Sequence, residues 1–169
     1  VEKELSGKHP VIQAVTRENI QYSQDLQTIT TKIEDYTVQK TNIEIKTSEI
    51  DNDHKSAVKK ISLSGLSPAL GNILREQRRS LVTQDQFSLQ AETIQNETAS
   101  TSLEQFNIED KLKQLGDIDT KLQDIMYNQV DKNLPLEQRL TIQTDLGLLL
   151  NVQKELLNKL ASQYATYLR

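Results

Sequence analysis

Apolar side chains recur at alternating steps of three and four residues from Ile12 onward, through Val15, Tyr22, Leu26, Ile29, Ile33, Tyr36, Ile43, Ile50, Ala57 and Ile61. Polar residues interrupt the series only at Asn19, Lys40, Thr47 and His54. That spacing lays one stripe along a helix. A straight α-helix drifts by about 20° per heptad from such a stripe, so a pattern held for about seven heptads implies a left-handed supercoil against a partner helix. The four interruptions share one row of the stripe, while the row from Val15 to Ala57 is apolar throughout. We therefore expect one row to be buried along its length. The other should lie at the edge of a three-helix or wide two-helix seam, with a register-setting role for Asn19 as the lesser alternative. Pro10 suits a first helical turn. The first helix is predicted over residues 10–62, roughly 80 Å of chain, after a flexible lead of residues 1–9.

The breakers that follow are few: Ser64-Gly65-Leu66-Ser67-Pro68, Gly116, and Asn133-Leu134-Pro135. Ser67 is placed to cap a second helix over residues 68–80, whose stripe is Leu70, Ile73, Leu74, Gln77 and Leu81. Thr83 with Gln86 forms a capping box for a third helix over residues 83–115, striped by Phe87, Ala91, Ile94, Thr98, Thr101, Gln105, Ile108, Leu112 and Leu115. Its middle is poor in apolar residues, which predicts looser packing from Asn96 to Ser102. A short helix over residues 117–131 carries Ile118, Leu122, Ile125 and Met126. Pro135 opens the last, over residues 136–168, with Leu140, Leu146, Leu149, Leu156, Leu160, Tyr164 and Tyr167 on its core face. The three long stretches nearly match in length. They predict an all-α, elongated, antiparallel three-layer bundle, forming a single domain over residues 10–169 and monomeric or weakly associating by itself.

Composition agrees with this and narrows the function. The 169 residues include 23 Leu and 18 Gln but only five Gly, three Pro, two Phe and no Trp, too few turn-formers for a sandwich, a barrel or a doubly wound sheet. The absence of Cys excludes disulfides, thiolate metal sites and cysteine nucleophiles. A net charge of −4 leaves nothing broadly basic to hold a nucleic acid or an anionic bilayer. No apolar run approaches the ~20 residues of a membrane span. The chain opens at Val1 without a signal-peptide pattern, which suggests an excised piece whose targeting and anchoring segments lie outside it.

Catalytic chemistry has little to work with. His9 and His54 lie far apart in sequence, and Asp51, Asp53 and His54 lack a second cluster that would complete a metal's coordination. Acids and lysines pair at helical spacing, as Asp51 with Lys55, Glu109 with Lys113, Asp117 with Lys121 and Glu155 with Lys159, which supports solvated helices rather than acid/base dyads. No GxGxxG, P-loop or GxSxG occurs, so no cofactor and no small-molecule substrate are expected. Asn96-Glu97-Thr98 is a glycosylation sequon of a kind frequent by chance. The one dense basic cluster is Arg75, Arg78 and Arg79. It reads either as a solvated helix face or as a contact to an acidic neighbouring subunit or to lipid headgroups. From the residues alone, this is a structural or interaction module rather than an enzyme.

His9-Pro10-Val11-Ile12-Gln13-Ala14-Val15, leading through Asn19 and Leu26 into a Gln-rich helix, resembles the opening of the helical periplasmic region of large MscS-like mechanosensitive channels of the potassium-efflux KefA/MscK type. The likeness continues through Gly65 and Ile73-Leu74, through Leu103-Glu104-Gln105-Phe106-Asn107-Ile108, and through the Leu-rich close from Leu148 to Leu157. It covers the chain from His9 to Arg169 and departs at Ser102, where the family tends to carry Arg. The resemblance implies a periplasmic domain of a bacterial inner-membrane channel that opens under tension and relieves osmotic shock by ion efflux. It further implies that the pore lies elsewhere, that the partners are the other subunits of a homo-oligomer, a heptamer in the intact protein, and that the membrane is reached through the rest of the chain. The competing expectation is a spectrin-like or tethering coiled coil with no channel attached.

Overall fold

The computed structural model describes residues 7–64, 67–81 and 84–169. Among them the chain forms five helices: α1 (Pro10–Ser64), α2 (Pro68–Ser80), α3 (Gln84–Leu115), α4 (Ile118–Gln129) and α5 (Leu136–Tyr167). The protein is an all-α helical bundle, and the predicted boundaries hold to within two residues because local chemistry sets them. Ser67, in extended conformation, accepts the Leu70 amide on its side chain at 3.2 Å, and Pro68 follows in the first turn of α2. Gly116 ends α3 at a positive φ of 57°, a conformation that costs a residue with a Cβ about 1 kcal/mol or more, and its amide closes on the Leu112 carbonyl at 3.1 Å. Asp117 is then spent as the cap of α4, taking the Thr120 amide and hydroxyl at 3.0 Å each, rather than as the partner predicted for Lys121. The Thr83 cap lies outside the described residues, as do residues 1–6 of the predicted lead.

The chain divides into two compact units: the described part of Val1–Ile33 together with Thr98–Arg169, and Glu34–Glu97. In the first unit three long helical stretches run out, back and out again. Lys8, just before α1, meets Asp145 near the start of α5 (3.5 Å), and one residue pair farther along α1, Glu18 and Asn19, meets Gln153 (2.6 Å) and the Leu149 carbonyl (2.9 Å), so α1 and α5 run the same way. Contacts between α1 and α3 run in opposite directions: Lys111 lies over the Tyr22 ring at 4.8 Å, while Ile29 lines a cleft with Glu104 and Ile108. The core is Val11, Ile12, Val15, Tyr22 and Ile29 of α1, Ile108 and Leu115 of α3, Ile125 of α4, and Leu146, Leu150, Leu157, Leu160 and Tyr164 of α5. Of the fifteen buried hydrophobic residues among those described, only Leu70 belongs to the second unit.

Several sequence expectations are corrected here. The row from Val15 to Ala57 is buried only as far as Ile29: Tyr36 is half-buried, and Ile43 (63% exposed) and Ile50 (49%) face solvent, because a stripe marks a common face without guaranteeing that a neighbour covers it. The loosely packed part of α3 lies earlier than predicted. Phe87 and Ile94 are exposed, whereas Thr101, inside the stretch expected to be loose, is buried because it sits on the face that continues to Ile108 and Leu115. In α2, Ile73 is exposed while Leu70 is buried, and the Gln77 side chain lies outside the described set. Leu140 is exposed, and the true seam of α5 is Leu146, Leu150, Gln153, Leu157, Leu160 and Tyr164.

Asn19 is no edge residue. It is 7% exposed, and its Nδ2 donates to the Leu149 carbonyl, tying α1 to α5, while its Oδ1 meets no donor among the protein's atoms. The Leu149 carbonyl sits inside α5, where the helix offers it a donor of its own. Leucine at this position would thus remove an unpaired buried acceptor at little loss. We expect Asn19→Leu to raise stability by about 1 kcal/mol in urea denaturation; a loss of similar size would assign the amide a net stabilising role.

Candidate functional surface

The predicted patch sits on α2. Arg75, Arg78 and Arg79 are all exposed, and the helix brings them onto neighbouring turns at spacings of three and four residues. Arg75 donates to Asn72 Oδ1 at 2.5 Å, Arg79 pairs with Glu76 at 2.8 Å, and Arg78 and Arg79 occupy the last turn, where cations suit the helix dipole. The same unit carries Lys55, Lys59 and Lys60 in the closing turns of α1, all exposed, with Lys55 paired to Asp51 at 2.5 Å. The Arg triplet and the three lysines therefore lie on consecutive helices of one unit, a grouping that reading the triplet alone misses.

The other residues weighed from sequence are distributed differently. His9 Nδ1 accepts the Val11 amide at 3.3 Å and helps start α1. His54, Asp51 and Asp53 are exposed, and among the described residues no group of three or more His, Asp or Glu side chains is placed to hold a metal ion. Lys113 pairs with Asp110 (3.3 Å) instead of Glu109, which takes Gln105 (3.0 Å), while Glu155 and Lys159 pair as expected at 2.6 Å. In the second unit Tyr36 donates to the carboxylate of Glu97, the middle residue of the sequon, joining α1 to α3.

One polar cluster was not legible beforehand. A cleft of about 270 Å³ in the first unit is lined by Asp25, Lys32, Glu104, Lys111 and Tyr164 among others. Burial, then the charge of Glu104 and the hydrogen bond to it, then the charge of Asp25, hold the Tyr164 hydroxyl protonated and push its pKa well above the usual tyrosine range. Tyr164 sits at a heptad position, and nothing in the sequence says that two acids on other helices converge on it. The folded chain binds this proton more tightly than the unfolded one, so the stabilisation is fully present below about pH 10 and is lost as pH rises beyond it. Accordingly, the urea midpoint should fall as pH rises above about 10. Tyr164→Phe should flatten that fall, and an unchanged slope in the variant would place the titrating group elsewhere.

The arrangement offers exposed cations, exposed apolar side chains and open clefts. Comparison with protein families, with curated proteins and with solved structures gave no match to this chain.

Proposed function

We propose that this chain is a non-catalytic, extracytoplasmic helical domain of a tension-gated channel of the large MscS-like type, one that modulates a pore built by other parts of the protein. The observation that carries the reading is the order of the family-like marks on the helices. His9-Pro10 opens α1, Ile73-Leu74 falls in α2, Leu103-Glu104-Gln105-Phe106 in α3 and the Leu-rich close in α5. No helix among the described residues is long and apolar enough to cross a membrane, so a conduction path would come from elsewhere in the parent protein.

In this reading the partners are further copies of the same subunit, seven around a pore, with the bilayer reached through the rest of the protein. Apolar side chains left on the surface of the first unit, Leu103 and Phe106 of α3 and Leu148 of α5, offer such neighbours a footing. A domain outside the bilayer biases a closed-to-open equilibrium when it contacts its neighbours or the membrane differently in the two states. Potassium efflux and relief of osmotic shock would then be activities of the whole channel, tuned from the periplasm.

The exposed apolar residues of α1 beyond Tyr36 favour a second reading, a tethering coiled coil with no channel attached. The sequence downstream of Arg169 separates the two: several apolar spans followed by a Gly/Ala-rich pore helix support the channel. Patch-clamp recording of the parent protein with this region deleted, in spheroplasts, tests the role. We expect conductance to persist with a shifted tension threshold. Loss of all conductance despite normal insertion would contradict an accessory role, and unchanged threshold and kinetics would remove the modulation.

A further inference from the structure

Charge is segregated within the second unit. From Lys55 to Leu81 the chain carries six cations (Lys55, Lys59, Lys60, Arg75, Arg78 and Arg79) against the single acid Glu76. This stretch has a net charge of +5 in a chain of net charge −4, leaving −9 for the rest. The preceding part of α1 has the opposite character: residues 34–53 hold six acids and two lysines. A cationic stretch in an acidic chain is a device for orientation, because an anionic surface attracts that stretch and repels the remainder.

The cations are interleaved with exposed apolar side chains. Leu63 lies one helical turn beyond Lys59 and Lys60 and is 77% exposed. Val58 of α1, Ile73 of α2 and Leu81, the residue that ends α2, are also exposed. Cations over stranded apolar side chains are the composition of surfaces that lie in the headgroup region, where guanidinium and ammonium groups meet lipid phosphates and the apolar groups reach the acyl boundary. An acidic protein would satisfy the cations and leave Leu63 and Ile73 in water. A second copy of this chain would cover the apolar groups, but copies set around one pore point the same way and bring +5 against +5. That last step rests on the channel reading; the charge and exposure of the patch do not.

We propose that the cationic stretch of the second unit, formed by the last turns of α1 and by α2, docks on an anionic bilayer surface. The test is co-sedimentation of the 169-residue chain with vesicles of phosphatidylcholine alone and of phosphatidylcholine with about a third phosphatidylglycerol. Binding is expected to the anionic vesicles only. It should collapse as salt rises from about 0.1 M to about 1 M and the screening length shrinks from about 10 Å to about 3 Å. Each cation near such a surface is worth on the order of fivefold in partitioning, so replacing Arg75, Arg78 and Arg79 together with Gln should weaken binding on the order of a hundredfold. The same three replaced with Lys should retain most of it, and circular dichroism would verify that both variants stay helical. Leu63→Ser with Ile73→Ser should weaken the salt-resistant remainder.

Absence of binding to anionic vesicles, or binding indifferent to the three arginines, would overturn the proposal. So would a concentration-dependent dimer, seen by analytical ultracentrifugation and dissolved by the Gln variant, in place of vesicle binding; it would assign the cations to the acidic stretch of an antiparallel second copy. None of these outcomes depends on channel activity. A parent protein without tension-gated conductance would remove the channel reading and leave the vesicle result standing.

Discussion

Replacing Leu157 with Ala is expected to destabilise the chain by about 3–5 kcal/mol, whereas Ile43→Ala should be neutral within about 0.5 kcal/mol. Both positions carry a branched aliphatic side chain on a long helix, and the sequence stripes put Ile43, not Leu157, on a buried face. Leu157 is 1% exposed between Leu150 and Tyr164, so truncation loses its transfer free energy and leaves a cavity that helices held from several sides cannot close. Ile43 is already in water. Its loss removes little burial, and alanine's better helix propensity offsets what remains. Urea midpoints followed by far-ultraviolet circular dichroism measure both. Comparable losses at the two sites would mean that α1 beyond Tyr36 is covered in solution.

The same contrast shows what was legible in the sequence. Ser67-Pro68, Gly116 and Pro135 act through their own backbone and near neighbours, so element boundaries could be read locally. The stripe of α1 was equally legible as a stripe, but burial is a property of pairs of elements. Residues 34–63 find far less cover than residues 10–33 with the same periodicity. In α5 the difficulty is reversed. Leucines at 146, 148, 149, 150, 156, 157 and 160 occupy nearly every face, and the polar residue at 153 hides the four-three series on which the core is built. Gln153 is tolerated there because its amide reaches Glu18 on α1, a partner 135 residues away. Asn19 was misplaced for the same reason, since its acceptor is a backbone carbonyl of α5. The arginine patch was visible because charge runs are local. Its continuity with Lys55, Lys59 and Lys60 crosses the break between α1 and α2, so reading each helix by itself misses it.

Amide hydrogen exchange along α1 should change abruptly although the helix is continuous. Amides of residues 14–30 are expected to exchange at least about a hundredfold more slowly than those of residues 40–54, a difference of roughly 3 kcal/mol or more in opening free energy. Residues up to Ile29 contribute five members of the main core, so exposing their amides requires the first unit to open. Residues 40–54 are exposed without interruption, and helical stability without tertiary cover is marginal. Local propensity does not compensate, since seven of the fourteen residues from Thr37 to Ile50 are β-branched. The Thr41 and Thr47 hydroxyls do return to carbonyls one turn back, at 2.9 and 2.8 Å, but such bonds slightly disfavour a helix. The Asp51–Lys55 pair supplies only a few tenths of a kcal/mol. Exchange read by mass spectrometry on overlapping peptides would resolve the step. Uniform protection from residue 14 to residue 54 would show that a further surface covers the second half of α1, and protection that rises there with protein concentration would identify that surface as another copy of the chain.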